Sequence, residues 1–132
     1  MSQSDVKAAR PLSPHLQVYK LILTMLMSIL HRITGAGLYF GMFFVAWWLV
    51  AVASGPSYYD FAMGLFGSII GYLALFGFTW ALMHHMLGGL RHFLWDTGRA
   101  MGPGIRDKLA IANIVGSVVL TVLVWIVVLA VA

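Results

Sequence analysis

The chain has 132 residues, a length that suits a single domain. Hydrophobic residues make up 61% of it and charged residues only 9%, against about 25% charged in a soluble domain, so lipid is its main solvent. The absence of cysteine excludes disulfides, thiolate-ligated iron–sulfur clusters and covalently attached c-type haem within the chain, and the net charge of +4 comes from residues flanking apolar runs, not from a nucleic-acid-binding patch.

Met1–Lys20 is polar and carries Pro11 and Pro14. It has no apolar h-region and too few basic residues for a transit peptide, so it is not expected to be a cleaved leader. Prolines restrict their own backbone and that of the preceding residue, so Arg10–Lys20 reads as an extended arm against the membrane surface or a soluble partner.

Leu21–Ser54 is uncharged apart from His31 and Arg32. As one helix it would reach roughly 50 Å, too long for a hydrocarbon core of about 30 Å. Placing Arg32 at the bilayer centre would cost roughly 2.5–3.5 kcal/mol. The first span is therefore expected at 28–54, with 21–27 as its interfacial lead-in. Residues 1–27 then form the arm and lead-in, and 28–132 the membrane domain.

Gly55–Asp60 (GPSYYD) reads as a turn. Phe61–Leu90 is the second uncharged run and predicts a span over 61–90 that tilts or projects past the lipid. Arg91–Lys108 is the polar connection, with Gly102-Pro103-Gly104 as its breaker. Leu109–Ala132 has no charge and predicts the third span. Its β-branched residues do not argue for a strand, because a lone segment in lipid must satisfy its own backbone as a helix. The expected fold is thus an all-α membrane protein with three transmembrane helices, up-down-up.

All eight Lys and Arg residues lie before or at the opening of span one, or between spans two and three. The positive-inside rule puts the N-terminus and the second connection in the cytoplasm, or in the matrix of an organelle. Gly37/Gly41 and Gly67/Gly71 have GxxxG spacing, which allows close helix approach.

The most informative stretch is His84–Gly98, HHMLGGLRHFLWDTG. Ionisable side chains in or beside a span are expensive and are functional candidates by default. His85 and His92, seven residues apart, share a helix face, and Gly88 and Gly89 lie beside His85. An imidazole next to bare backbone suits a large flat ligand, and axial ligation of a b-type haem is the reading it favours. A histidine hydrogen-bonded to a neighbouring helix is the plainer alternative. His84 points about 100° away from His85 and reads as structural. The roughly 10 Å between His85 and His92 is cramped for two haems, so His92 is expected near the edge of one haem or near a quinone.

Ser28, His31 and Arg32 are three and four residues apart on span one. Haem propionates need cations or donors in a low dielectric, which suits His31 and Arg32. A quinone oxygen needs donors, which suits Ser28 and Arg32. The plainer reading is an arginine snorkelling to lipid phosphate, with Ser28 bonded to its own backbone. Asp96 either pairs with Arg91 or Arg99 at the interface or helps to deliver protons to the quinone.

Three segments carry a resemblance. RPLSPHLQVYK (Arg10–Lys20), SILHRITG (Ser28–Gly35) and HMLGGLRHFLWDTG (His85–Gly98) resemble the three hallmarks of the cytochrome b membrane-anchor subunits of succinate dehydrogenase, or complex II. The resemblance implies that the chain pairs with a second, smaller anchor subunit and that one haem b is shared between a histidine of each. It implies His85 as the iron ligand of this chain, Ser28 and Arg32 in the ubiquinone site, and His31 and Arg32 near the haem propionates. It further implies a flavoprotein subunit that oxidises succinate and an iron–sulfur subunit that carries electrons to the quinone, with FAD and iron–sulfur clusters held only there. This chain alone would then not be catalytic. A bacterial inner membrane is the expected location, with the soluble subunits on the cytoplasmic side. The alternatives are the anchor of a quinol:fumarate reductase and a haem-free structural anchor.

Overall fold

The computed structural model describes residues 18–131. Four helices make up the described fold: α1 (Leu23–Ala53), α2 (Pro56–Phe66), α3 (Ile69–Asp96) and α4 (Pro103–Val131). No strand occurs among the described residues. α1, α3 and α4 are long and apolar enough to cross a membrane. At 28 to 31 residues each they reach roughly 42–47 Å, longer than a hydrocarbon core of about 30 Å. The 11 residues of α2 are too few to span.

The expected arm at 1–20 lies almost wholly outside the described residues. The stretch expected as a lead-in is largely helical, since α1 starts at Leu23 and the amides of Met25 and Leu26 bond to the Ile22 carbonyl at 3.0 and 3.1 Å. The six-residue turn expected after span one contracts to a single break. Ser54 closes α1 by bonding its hydroxyl to the Val50 carbonyl at 2.7 Å. Gly55 then takes φ 103°, which an L side chain rarely adopts, and Pro56 opens α2 with a φ already suited to a first helical turn.

The second uncharged run is not one helix. It breaks at Gly67, and Ser68 caps α3 by accepting the Gly71 amide at 3.1 Å. A Cβ on Gly71 would overlap the carbonyls of Leu65 and Phe66, so the end of α2 lies directly on the start of α3. The span begins eight residues later than expected and continues to Asp96, taking Arg91 and His92 into the helix. Pro103 opens α4 and does not merely break the connection.

The GxxxG pairs do not behave as pairs. Gly41 packs under the Phe78 ring, while Gly37 meets nothing within 4 Å. Gly67 lies outside a helix and cannot share a helical face with Gly71.

α3 lies between α1 and α4 and packs most extensively on α4. The pairs Gly35–His85 and Gly41–Phe78 run α1 and α3 antiparallel, and His84–Asn113 with Thr79–Trp125 do the same for α3 and α4. The buried residues at these contacts are small or polar: Thr34, Ala110, Asn113, Ser117, Thr121 and His84. Large apolar side chains such as Phe43, Leu73 and Val127 point outward. This is the arrangement lipid favours, since apolar faces gain nothing by hiding from it and small residues let backbones approach.

Candidate functional site

Each of α1 and α3 presents a glycine to the other's histidine. An ideal Cβ on Gly35 would stand 2.8 Å from His85 Cε1 and 3.3 Å from its Nδ1. A Cβ on Gly88 would overlap His31 Nδ1. The two imidazoles stack in the space so left, with ring centroids 3.9 Å apart and planes 2° from parallel. Gly89 meets nothing within 4 Å, so of the two expected glycines only Gly88 takes part, and it seats His31 and not His85.

His85 Nδ1 lies 3.0 Å from the backbone carbonyl of His31 and 3.5 Å from Thr34 Oγ1. A carbonyl oxygen only accepts, so the ring donates from Nδ1 and Nε2 keeps its lone pair. That is the tautomer a metal-ligating histidine needs, oriented by the backbone bond that such ligands commonly make. The Thr34 hydroxyl is tied to the Leu30 carbonyl at 2.8 Å, which holds this corner of α1 in place. Stacking uses the ring faces and leaves the in-plane lone pair available. His31 Nδ1 is buried and has no hydrogen-bond partner among the described residues.

His92 extends the group, with its ring 5.3 Å from that of His31 and edge-on to Trp95 at the same separation. Its side chain is exposed, as are those of Arg32 and Asp96, while Ser28 is half-buried. His31 and Arg32 diverge accordingly: His31 turns to α3 and Arg32 outward. Asp96 makes no ion pair with Arg91 or Arg99; the ion pair seen among the described residues joins Arg106 and Asp107 at 3.8 Å. Arg91 is only 5% exposed and lies over the Trp95 ring at 5.0 Å, with Nε and Nη1 unpartnered among the described residues.

No group of three or more His, Asp or Glu side chains among the described residues could hold a metal ion by itself. A metal at His85 must therefore bring most of its ligands, as iron in a porphyrin does. The residues fit such a group: a lone pair fixed on His85 Nε2, with the exposed side chains of Arg32 and His92 at the same end of α1 and α3. The other end of the bundle is different in kind. It holds an apolar cavity of about 650 Å³ bordered by Phe44, Trp48, Tyr59, Phe66 and Phe78.

The family described as succinate dehydrogenase/fumarate reductase transmembrane subunit matches residues 7–131. The chain belongs to this family. It is 46% identical over 118 residues to the succinate dehydrogenase cytochrome b556 subunit of Paracoccus denitrificans, covering 89% of this chain and 91% of that one. The subunit of the same name from Rickettsia felis is 33% identical over 125 residues, 95% of this chain and 98% of that one. The mitochondrial succinate dehydrogenase cytochrome b560 subunit of Mus musculus is 38% identical over 101 residues, 75% of this chain and 60% of that one.

In this succinate dehydrogenase/fumarate reductase transmembrane subunit, the structure gathers His31, His85 and His92 on facing sides of α1 and α3. It places Ser28 and Arg32 on the same end of α1, and Asp96 at the last turn of α3. His84 faces away toward α4, as its angular offset predicts. Sequence reasoning missed Thr34, one turn from Leu30, and the stripe Asn113, Ser117, Thr121. The stripe's four-residue spacing in an otherwise apolar run was the available signal.

Proposed function

We propose that this chain is the cytochrome b membrane-anchor subunit of a succinate:ubiquinone oxidoreductase. It anchors a flavoprotein subunit and an iron–sulfur subunit on the cytoplasmic face of a bacterial inner membrane. It pairs with a second, smaller anchor subunit. The observation that carries this reading is the His85 imidazole, protonated at Nδ1 by its bond to the His31 carbonyl and seated over Gly35 with Nε2 left to bind iron.

A b-type haem held there would supply a one-electron carrier beside the quinone. His85 would hold its iron through Nε2, and the partner anchor would provide a second histidine. Arg32 and His92, both exposed at the same end, would offer donors to the propionates, and His31 lies beside them. Ser28 and Arg32 donate to a quinone carbonyl oxygen and so orient the headgroup. Asp96, exposed at the end of α3, passes protons from the aqueous side.

The test is a reduced-minus-oxidised absorbance spectrum of the assembled complex, wild type against His85→Ala. The α-band of a b-type haem disappears or falls strongly in the variant. An unchanged band at unchanged haem content would assign the iron to another ligand.

A further inference from the structure

Among the described residues, the deepest ionisable side chain outside the proposed haem face is His84, which is 1% exposed and faces α4. Asn113 Nδ2 donates to the His84 backbone carbonyl at 3.2 Å and lies 3.4 Å from His84 Nδ1. Ser117 Oγ is 3.5 Å from the same nitrogen and bonds to the Ile114 carbonyl at 2.8 Å. The amide of Asn113 has two hydrogens, one for the carbonyl and one for the ring. Nδ1 of His84 then accepts from the Asn113 amide, while Ser117, its one hydrogen given to Ile114, packs on the ring without donating to it; Nε2 is buried with no hydrogen-bond partner among the described residues. Two consecutive imidazoles are so held by different helices, His85 by α1 and His84 by α4.

We propose that His84, held by Asn113 and packed against Ser117, is a positioning residue that sets the rotation of α3 and thereby the orientation of the His85 imidazole. This rests on the reading of His85 as a haem ligand. Consecutive helix residues are locked at about 100°, so any rotation of α3 that frees His84 turns His85 by the same angle. The grip reaches backbone as well as side chain. The His84 carbonyl also accepts the ladder bond from the Gly88 amide four residues on, so Asn113 clasps the very turn on which His31 rests. The fit is close on this side: a Cβ on Gly116 would stand 3.1 Å from Leu87 Cδ1. In lipid the apolar surroundings do not prefer one rotation of a helix over another, which leaves hydrogen bonds and close packing to choose it.

The experiment uses the purified, assembled complex carrying His84→Phe, Asn113→Ala or His84→Asn. Haem content is read by absorbance, and the orientation of the axial imidazole by the low-spin EPR gmax and the haem midpoint potential. Asn113→Ala and His84→Phe shift gmax and potential in the same direction while haem is retained. His84→Asn, which keeps an acceptor near the Nδ1 position, returns both toward wild type. Unchanged gmax and potential in Asn113→Ala with full haem overturns the proposal and leaves the cluster a packing feature. If His84→Phe fails to assemble, Asn113→Ala decides, because it leaves His84 in place. Failure of the ligand reading is separate: it appears as an unchanged spectrum in His85→Ala.

Discussion

The imidazole of His85 is anchored to the backbone of His31, with Nδ1 3.0 Å from that carbonyl, and not to any acidic side chain. A backbone anchor cannot swing away as a side chain can, so the direction of the ring depends on how closely α1 and α3 approach. That approach rests on glycines.

Gly35→Ala puts a methyl group 2.8 Å from His85 Cε1, and Gly88→Ala drives one into His31 Nδ1. Overpacking of this kind costs about 1–3 kcal/mol. Both variants lower the haem content of the assembled complex or displace its midpoint potential. Gly37→Ala, which meets nothing within 4 Å, leaves both unchanged. Redox titration of the three variants side by side checks this, and equal effects at all three positions would contradict the geometry.

Ser28→Ala and Arg32→Ala slow ubiquinone reduction without slowing electron transfer to a soluble dye. Losing a hydrogen bond from a charged donor costs about 1.5–3 kcal/mol, roughly ten- to a hundredfold in rate for Arg32; the neutral Ser28 hydroxyl is worth about 0.5–1.5 kcal/mol, up to about tenfold. The check is the ratio of quinone to dye activity. Parallel loss of both would indicate failed assembly.

Sidedness is tested on the native background, because the chain has no cysteine. A membrane-impermeant thiol reagent labels Met101→Cys, exposed between α3 and α4, only from the cytoplasmic side of vesicles. It labels Ser57→Cys, exposed at the start of α2, only from the opposite side. The reverse pattern would invert the proposed topology.

Much of this architecture is legible in the sequence, for a definite reason. Charge and apolar length are costs imposed by the bilayer, so the three long apolar runs and the polar segments between them identify themselves. The angular offset between His84 and His85 likewise follows from helix geometry and places them on different neighbours. What is not legible depends on contact. The break at Gly67 sits inside an unbroken apolar run, where lipid exerts no pressure on either side, and it follows from α2 folding onto Gly71. Glycine spacing misleads because Gly37 faces outward; the glycines that matter, Gly35 and Gly88, are defined by the imidazoles opposite them. Asn113 and Ser117 escape a search for charge because neutral polar groups enter lipid at lower cost, although Asn113 bonds to His84 and Ser117 packs against it.

The reciprocal seating of His31 on Gly88 and of His85 on Gly35 makes α1 and α3 a single unit of inheritance. A chimera that borrows one of them from a distant relative would bring a knob without its socket. Exchange by recombination is therefore productive only when the crossover leaves both on the same side, as one before Leu23 does.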